Sequence, residues 1–143
     1  MRVLLISPPT TVEDRYGGVS IADKEGYLPP IGLLQIAAVL EEENHSVKIL
    51  DLSLSDYPLQ EVTETISNLS PEIVCFTILS LNSSKAFEIS KIIDEMINPL
   101  IVFGGPHALV FPKKILQEQK QIDIMVVGEG EYTILEIAEF VKN

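Results

Sequence analysis

Five short apolar runs alternate with five longer amphipathic segments along this chain, and few architectures accept that rhythm. The apolar runs fall at residues 2–6, 47–50, 73–79, 100–103 and 122–127. Helical periodicity covers about 31–43, 59–69, 83–96 and 111–119, and a last stripe carries Ile134, Ile137, Ala138 and Val141. Alternating β and α segments predict a parallel sheet with helices on both faces and right-handed crossovers. The run Ile73–Leu79 is apolar almost throughout, which marks a central strand. The usual five-strand solution has order 2-1-3-4-5, a doubly wound, three-layer α/β/α sheet of Rossmann-like (flavodoxin-like) form.

Local signals set the element ends. Pro29-Pro30 opens the first helix, whose apolar face is predicted as Ile31, Leu34, Ala37, Ala38 and Leu40, with Glu41, Glu42 and Glu43 in water. Asn44-His45 closes it, where the helix dipole favours a partly positive imidazole. Ser83 is the expected N-cap of the third helix. At 143 residues, with 46% hydrophobic content, the chain is expected to be a single domain over 1–143 with one substantial core. No run of eighteen apolar residues indicates a membrane span. Met1–Ile6 is too short for a signal peptide and meets Ser7-Pro8-Pro9 at once. A net charge of -11 argues against nucleic acid as a partner. The single cysteine, Cys75, forms no internal disulfide and reads as a small core hydrophobe; cytoplasm is the expected compartment.

In such a sheet, ligands bind at the carboxyl ends of strands 1, 3 and 4, which here are Ser7-Pro8, Leu79-Ser80 and Gly104-Gly105. Leu100–Phe103 runs straight into the glycine pair, which removes two side chains at that edge; a tight turn explains an isolated Gly-Gly equally well. The loop over residues 7–28 hangs over the same edge, and loops of that length are usually functional or disordered. The common chemistries of this sheet lack their residues. Ser7-Pro8-Pro9-Thr10-Thr11 contains no glycine for a dinucleotide turn, and Gly128-x-Gly130 after the last run is a weak signal. Neither a phosphate loop nor a G-x-S-x-G elbow occurs. His107 lies just past the glycine pair, and one histidine without partners builds no zinc site. An open α/β edge without a catalytic constellation fits binding rather than chemistry.

Three stretches carry a resemblance. They are Pro29-Pro30-Ile31-Gly32-Leu33 with Ala37–Leu40 and His45–Asp51, then Gly104-Gly105-Pro106-His107-Ala108, then Val127-Gly128-Glu129-Gly130-Glu131. In this order they resemble the amino-terminal cobalamin-binding domain of cobalamin-dependent radical S-adenosylmethionine enzymes, over nearly the whole chain. The resemblance implies cobalamin lying across the carboxyl edge with its nucleotide tail in a cleft. Thr77-Ile78-Leu79 stands where such domains often carry Ser-x-Leu and keeps the hydroxyl. The implied cofactor-binding residues are Ser7, Pro8, Pro9, Thr77, Leu79, Ser80, Gly104, Gly105, Pro106, His107, Gly128, Glu129 and Gly130. No catalytic residue and no protein metal ligand is implied.

The sequence also departs from related patterns. Residues 7–30 hold no histidine, so the lower-ligand Asp-x-His-x-x-Gly motif is missing, as is common in the radical subgroup. This implies a base-off cofactor, with His107 at the rim bonding a corrin amide or a neighbouring backbone group. With Cys75 alone there is no CxxxCxxC, so a [4Fe-4S] cluster and S-adenosylmethionine would belong to a radical domain absent from this chain, in cis or in trans. The implied function is to bind cobalamin and present it to that radical or methyl-transfer domain, as part of a methyltransferase-like enzyme and without catalysis of its own. The alternative is a degenerate Rossmann-like module that mediates protein contacts without cofactor. A flavodoxin-like enzyme is disfavoured by the missing phosphate cradle.

Overall fold

Five parallel strands form one sheet in the order β2-β1-β3-β4-β5 in the computed structural model, which describes residues 1–11, 14–15 and 28–143. Most of the predicted 7–28 loop lies outside the described residues. The elements are β1 (Arg2–Ser7), α1 (Ile31–Glu42), β2 (Ser46–Asp51), α2 (Pro58–Leu69), β3 (Ile73–Thr77), α3 (Ser83–Ile97), β4 (Leu100–Gly104), α4 (Pro112–Glu118), β5 (Ile124–Met125) and α5 (Glu131–Lys142). Short 3₁₀ turns at Leu52–Leu54 and Pro106–Leu109 follow β2 and β4. The register sets Val3 against both Val47 and Ile73, and Phe76 against Phe103. The predicted order and the all-parallel pairing are both found.

Successive strand residues point to opposite faces, so each central strand feeds two cores. On one face Leu4, Ile6, Val74, Phe76, Ile101 and Phe103 pack with Val62 and Ile66 of α2 and with Ala86, Ile89 and Ile93 of α3. On the other, Val3, Leu5, Ile73, Cys75 and Val102 pack with Leu33, Ala37 and Leu40 of α1 and with Ile134, Ile137 and Ala138 of α5. Burial on both faces is why the strands read as unbroken apolar runs. Among the described residues no helix is long and apolar enough to cross a membrane.

Several sequence expectations shift. The buried face of α1 is Leu33–Ala37–Leu40, while Ile31 and Leu34 are 62% and 46% exposed. This helix is apolar nearly all round, so its periodicity does not single out a face. β3 ends at Thr77 rather than residue 79, because the Leu79 amide donates to Asn82 Oδ1 (2.9 Å) instead of continuing the ladder. β5 shrinks from 122–127 to Ile124–Met125. Among the described residues it pairs only with β4, and flanking bonds from Asp123 N to Ile101 O (3.0 Å) and from Val126 N to Phe103 O (2.8 Å) extend the contact. Ser83 is the first residue of α3 rather than its cap; Asn82 holds the cap position and uses its side chain elsewhere. Val141, on the stripe predicted for the last helix, is exposed at its end.

Phe103 is fully buried, with its ring stacked on Phe76 at 4.6 Å and tilted against Phe87 at 5.7 Å. Phe103→Ala is expected to cost about 3–5 kcal/mol through the cavity it leaves. Urea unfolding monitored by far-ultraviolet circular dichroism checks this. A loss under 1 kcal/mol would contradict the placement of this ring.

Candidate functional site

The carboxyl edge is shaped by Gly105. Its φ of 98° lies in the left-handed region, and a Cβ there would stand 2.8 Å from both Ile78 N and Thr77 Oγ1 and 2.9 Å from Ile78 O. The missing side chain lets the backbone of Ile78 serve two neighbours: Ile78 N donates to Gly104 O (2.9 Å) and Ile78 O accepts from His107 N (3.0 Å). Gly104 differs. Its φ is ordinary, and a Cβ would meet only Val126 O at 3.7 Å and Val126 Cβ at 3.8 Å. Its free side faces a cleft of about 190 Å³ over the carboxyl ends of β3 and β4, flanked by α1 and the start of α5. Leu33, Ile36, Val102, Val126 and Ile134 make aliphatic walls, with Cys75, Phe76 and Thr77 from β3. Gly32, Gly128, Glu129, Gly130 and Glu131 complete the lining. A Cβ on Gly130 would come within 3.3 Å of Ile36 Cδ1, so this glycine sets how closely the start of α5 approaches α1.

Of the residues singled out in the sequence, Thr77, Gly104, Gly105, Gly128, Glu129 and Gly130 are brought together in this cleft. Ser7, Pro8, Pro9, Leu79, Ser80, Pro106 and His107 do not line it; they end β1 or sit in the loops after β1, β3 and β4. His107 Nδ1 is 2.9 Å from Ser80 Oγ, and its ring stands edge-on to Phe111 at 6.4 Å. Sequence reading missed the α1 wall (Gly32, Leu33 and Ile36), and it missed Asn82. Asn82 is 3% exposed, and its Nδ2 donates to Thr10 Oγ1 (3.0 Å) while Thr10 N donates to Ser53 Oγ (3.2 Å). The loops after β1, β2 and β3 are thus joined at Thr10. Farther along, Thr11 N donates to Asp14 Oδ2 (2.7 Å) and Asp14 N to Thr11 Oγ1 (3.0 Å). The Thr-x-x-Asp spacing of this reciprocal pair was a readable signal. Lys85 Nζ reaches Asp14 Oδ2 at 2.7 Å.

Electrostatics adds three facts. The Lys85 hydrogen bond, then the Thr11 amide and hydroxyl, pull the Asp14 carboxyl down to about 2. Burial pushes the Cys75 thiol up to about 12, so it stays protonated on the cleft floor. Burial, then the positive amino terminus, lowers His45 below the usual histidine value, against the partly positive imidazole expected at that helix end. Its Nδ1 is buried and has no hydrogen-bond partner among the described residues. Among the described residues no three His, Cys, Asp or Glu side chains are grouped to hold a metal ion.

The family model described as B12 binding domain matches residues 18–138. An uncharacterized methyltransferase of Pyrococcus horikoshii is 33% identical over 142 residues, covering 97% of this chain and 29% of its own. An anaerobic magnesium-protoporphyrin IX monomethyl ester cyclase of Synechocystis is 27% identical over 146 residues, covering all of this chain and 28% of its own. The chain therefore spans less than a third of the length of these curated relatives. A solved structure of the cobalamin-dependent S-adenosylmethionine radical enzyme OxsB with aqua-cobalamin bound superposes with a TM-score of 0.79 at 16% identity, over 99% of this chain and 19% of that one. The likeness to that structure is one of fold.

Two outcomes follow from the geometry. Gly105→Ala should lower stability by about 1–3 kcal/mol and Gly104→Ala by much less, since only the first meets backbone at contact distance in the left-handed region. Thermal melting compares them; equal losses would remove the distinction between the two glycines. Asp14 titrates from a depressed value, so its bonds to Lys85 and Thr11 hold above the ordinary carboxylate pKa and fade as pH falls toward about 2. In an NMR titration the Thr11 amide should report that midpoint, and Lys85→Ala should raise it. A midpoint unmoved by Lys85→Ala would exclude the ammonium as the main cause.

Proposed function

The chain belongs to the B12 binding domain family, and on that premise we propose that its cofactor, cobalamin, lies across the carboxyl edge of the sheet with its nucleotide tail in the α1–α5 cleft. The observation that carries the reading is the cleft itself: aliphatic walls, a Gly104 floor without a Cβ, and an opening on the edge where α/β sheets take ligands. At about 190 Å³ it is smaller than the roughly 300–1,000 Å³ of ordinary ligand pockets, so it suits one flat heterocycle and leaves a macrocycle outside. Thr77 offers a hydroxyl to the ring nitrogen of the tail, and Gly128, Glu129 and Gly130 border the entrance. Ser7, Pro8, Pro9, Leu79, Ser80, Pro106 and His107 would face the corrin from the surrounding loops.

The cofactor is held base-off in this reading. The tail occupies the cleft, residues 7–30 contain no histidine, and His107 is engaged with Ser80 at the rim. When bound, cobalamin supplies a cobalt centre for methyl transfer or radical chemistry; this chain binds it and limits its orientation. Residues 1–143 act as one cobalamin-binding domain that presents the corrin to a radical S-adenosylmethionine domain, in cis as the length of the relatives favours, within a methyltransferase-like enzyme. Leu79, Leu81, Leu109, Val110 and Phe111, all exposed in the loops at this edge, are the surface such a domain would cover. A cytoplasmic setting suits a chain with a single, reduced thiol.

The test begins with hydroxocobalamin. After mixing and desalting, the wild-type chain should retain the corrin absorbance, and Gly104→Val should keep its melting curve while losing the corrin. Full retention by a folded Gly104→Val chain would remove the tail from this cleft. With cob(II)alamin, electron paramagnetic resonance should lack nitrogen superhyperfine splitting and be unchanged in His107→Ala; splitting that disappears in that variant would make His107 the axial ligand.

A further inference from the structure

We propose, on the reading that this edge takes cobalamin, that Thr10 and Asn82 are positioning residues: the hydrogen bond between their side chains sets the direction of Pro8-Pro9, and through it the fit of the edge to the corrin. The tail cleft plays no part in this. β1 ends at Ser7, whose partner in β2 is Asp51. The next two residues, Pro8 and Pro9, have no amide hydrogen and a fixed φ. They can donate no ladder bond, and they bend little. A stiff pair of this kind is aimed from its ends. One end is the strand, and the other is Thr10.

The protons around Thr10 each have one place. The Leu79 amide can only donate, so the Asn82 atom that faces it at 2.9 Å is the oxygen, and Asn82 Nδ2 is left to donate to Thr10 Oγ1 (3.0 Å). Thr10 Oγ1 accepts there, and its own proton goes toward Pro8 O (3.4 Å). Thr10 N donates to Ser53 Oγ (3.2 Å), whose proton also goes toward Pro8 O (3.5 Å). The two bonds onto Pro8 O are long, and the Asn82 bond is the shortest that Thr10 makes. Asn82 is the fixed end of this circuit. It is 3% exposed, and its carbonyl accepts from Ala86 N (3.0 Å) at the start of α3. An asparagine at a cap position ordinarily bonds the free amides of its own helix. This one gives both side-chain groups to the loops after β1 and β3 instead. Without that bond a bound ligand would have to order the segment after β1, and the ordering would be subtracted from affinity. One such bond corresponds to about a threefold to tenfold change in Kd.

The experiment is equilibrium dialysis of the chain against hydroxocobalamin, read by corrin absorbance well below the melting temperature of each variant. Thr10→Val keeps the shape of the side chain and removes the hydroxyl, whereas Thr10→Ser keeps the hydroxyl. Asn82→Asp keeps an oxygen for Leu79 N and removes the donor to Thr10. Thr10→Val should bind about threefold to tenfold more weakly than the wild type, and Thr10→Ser within about twofold of it. The double variant Thr10→Val/Asn82→Asp should bind no more weakly than Asn82→Asp alone, since both changes remove the same bond. Thr10 is only half-buried, so the Val and Ser pair decides the matter even if Asn82→Asp does not fold. Wild-type affinity in Thr10→Val, with or without a lower melting temperature, makes the tie purely structural and overturns the positioning role while the cobalamin reading stands. Equal losses in Thr10→Val and Thr10→Ser, or additive losses in the double variant, do the same. No binding by the wild-type chain overturns the cobalamin reading and the positioning role with it.

Discussion

Two backbone hydrogen bonds through Ile78 hold the carboxyl edge of the sheet, and both depend on a residue with no side chain beside them. Ile78 N donates to Gly104 O, and Ile78 O accepts from His107 N. They let β3 and β4 stay side by side for one residue beyond their formal ends, and they fix where the Pro106–Leu109 turn departs. Any Cβ at Gly105 would intrude at 2.8 Å on the amide that makes the first bond. The loops after β3 and β4 are therefore placed by the backbone, and the Ser80–His107 contact joins them a second time above it.

The two faces of the sheet divide the work. The face carrying Phe76 and Phe103 is closed, with α2 and α3 packed over fully buried rings and branched side chains. The face carrying Cys75 and Val102 is packed toward the amino end by α1 and α5 and opens toward the carboxyl end, where small residues (Gly32, Gly104, Gly128, Gly130) keep the helices and loops from filling it. One side of the molecule is scaffold and the other carries the opening. The polar ties at Thr10, Asn82 and Ser53 belong to neither core and join three loops of the rim.

Strand order and direction were legible in the chain because five apolar runs separated by helical periods leave little choice of sheet. Part of the candidate site was legible too: Gly104 and Gly105 end an apolar run, while Thr77 and Gly128–Gly130 were marked by the family resemblance. The α1 wall was not, because a helix with Ile31, Leu33, Leu34, Ile36, Val39 and Leu40 gives no unique apolar stripe, and only packing decides that Leu33 turns inward. Asn82 was hidden because Ser83 beside it reads as the cap, whereas Asn82 holds the cap position and turns its side chain to Leu79 N and Thr10. For His45 the helix end was expected to favour the charged imidazole, whereas burial of the ring shifts its pKa down.

On the reading proposed above, the opening beside Val102 and Ile134 has a cellular consequence. A gap adjoining a core withholds contacts from the side chains that line it, and a molecule seated there restores them. Binding that favours the folded chain over the unfolded one adds about 2.7 kcal/mol at a free concentration one hundred times Kd. Chains that meet the cofactor then spend less time unfolded than chains that do not, and quality-control proteases act on the difference. The steady-state amount of this protein would rise and fall with the supply of corrinoid, without any dedicated sensor.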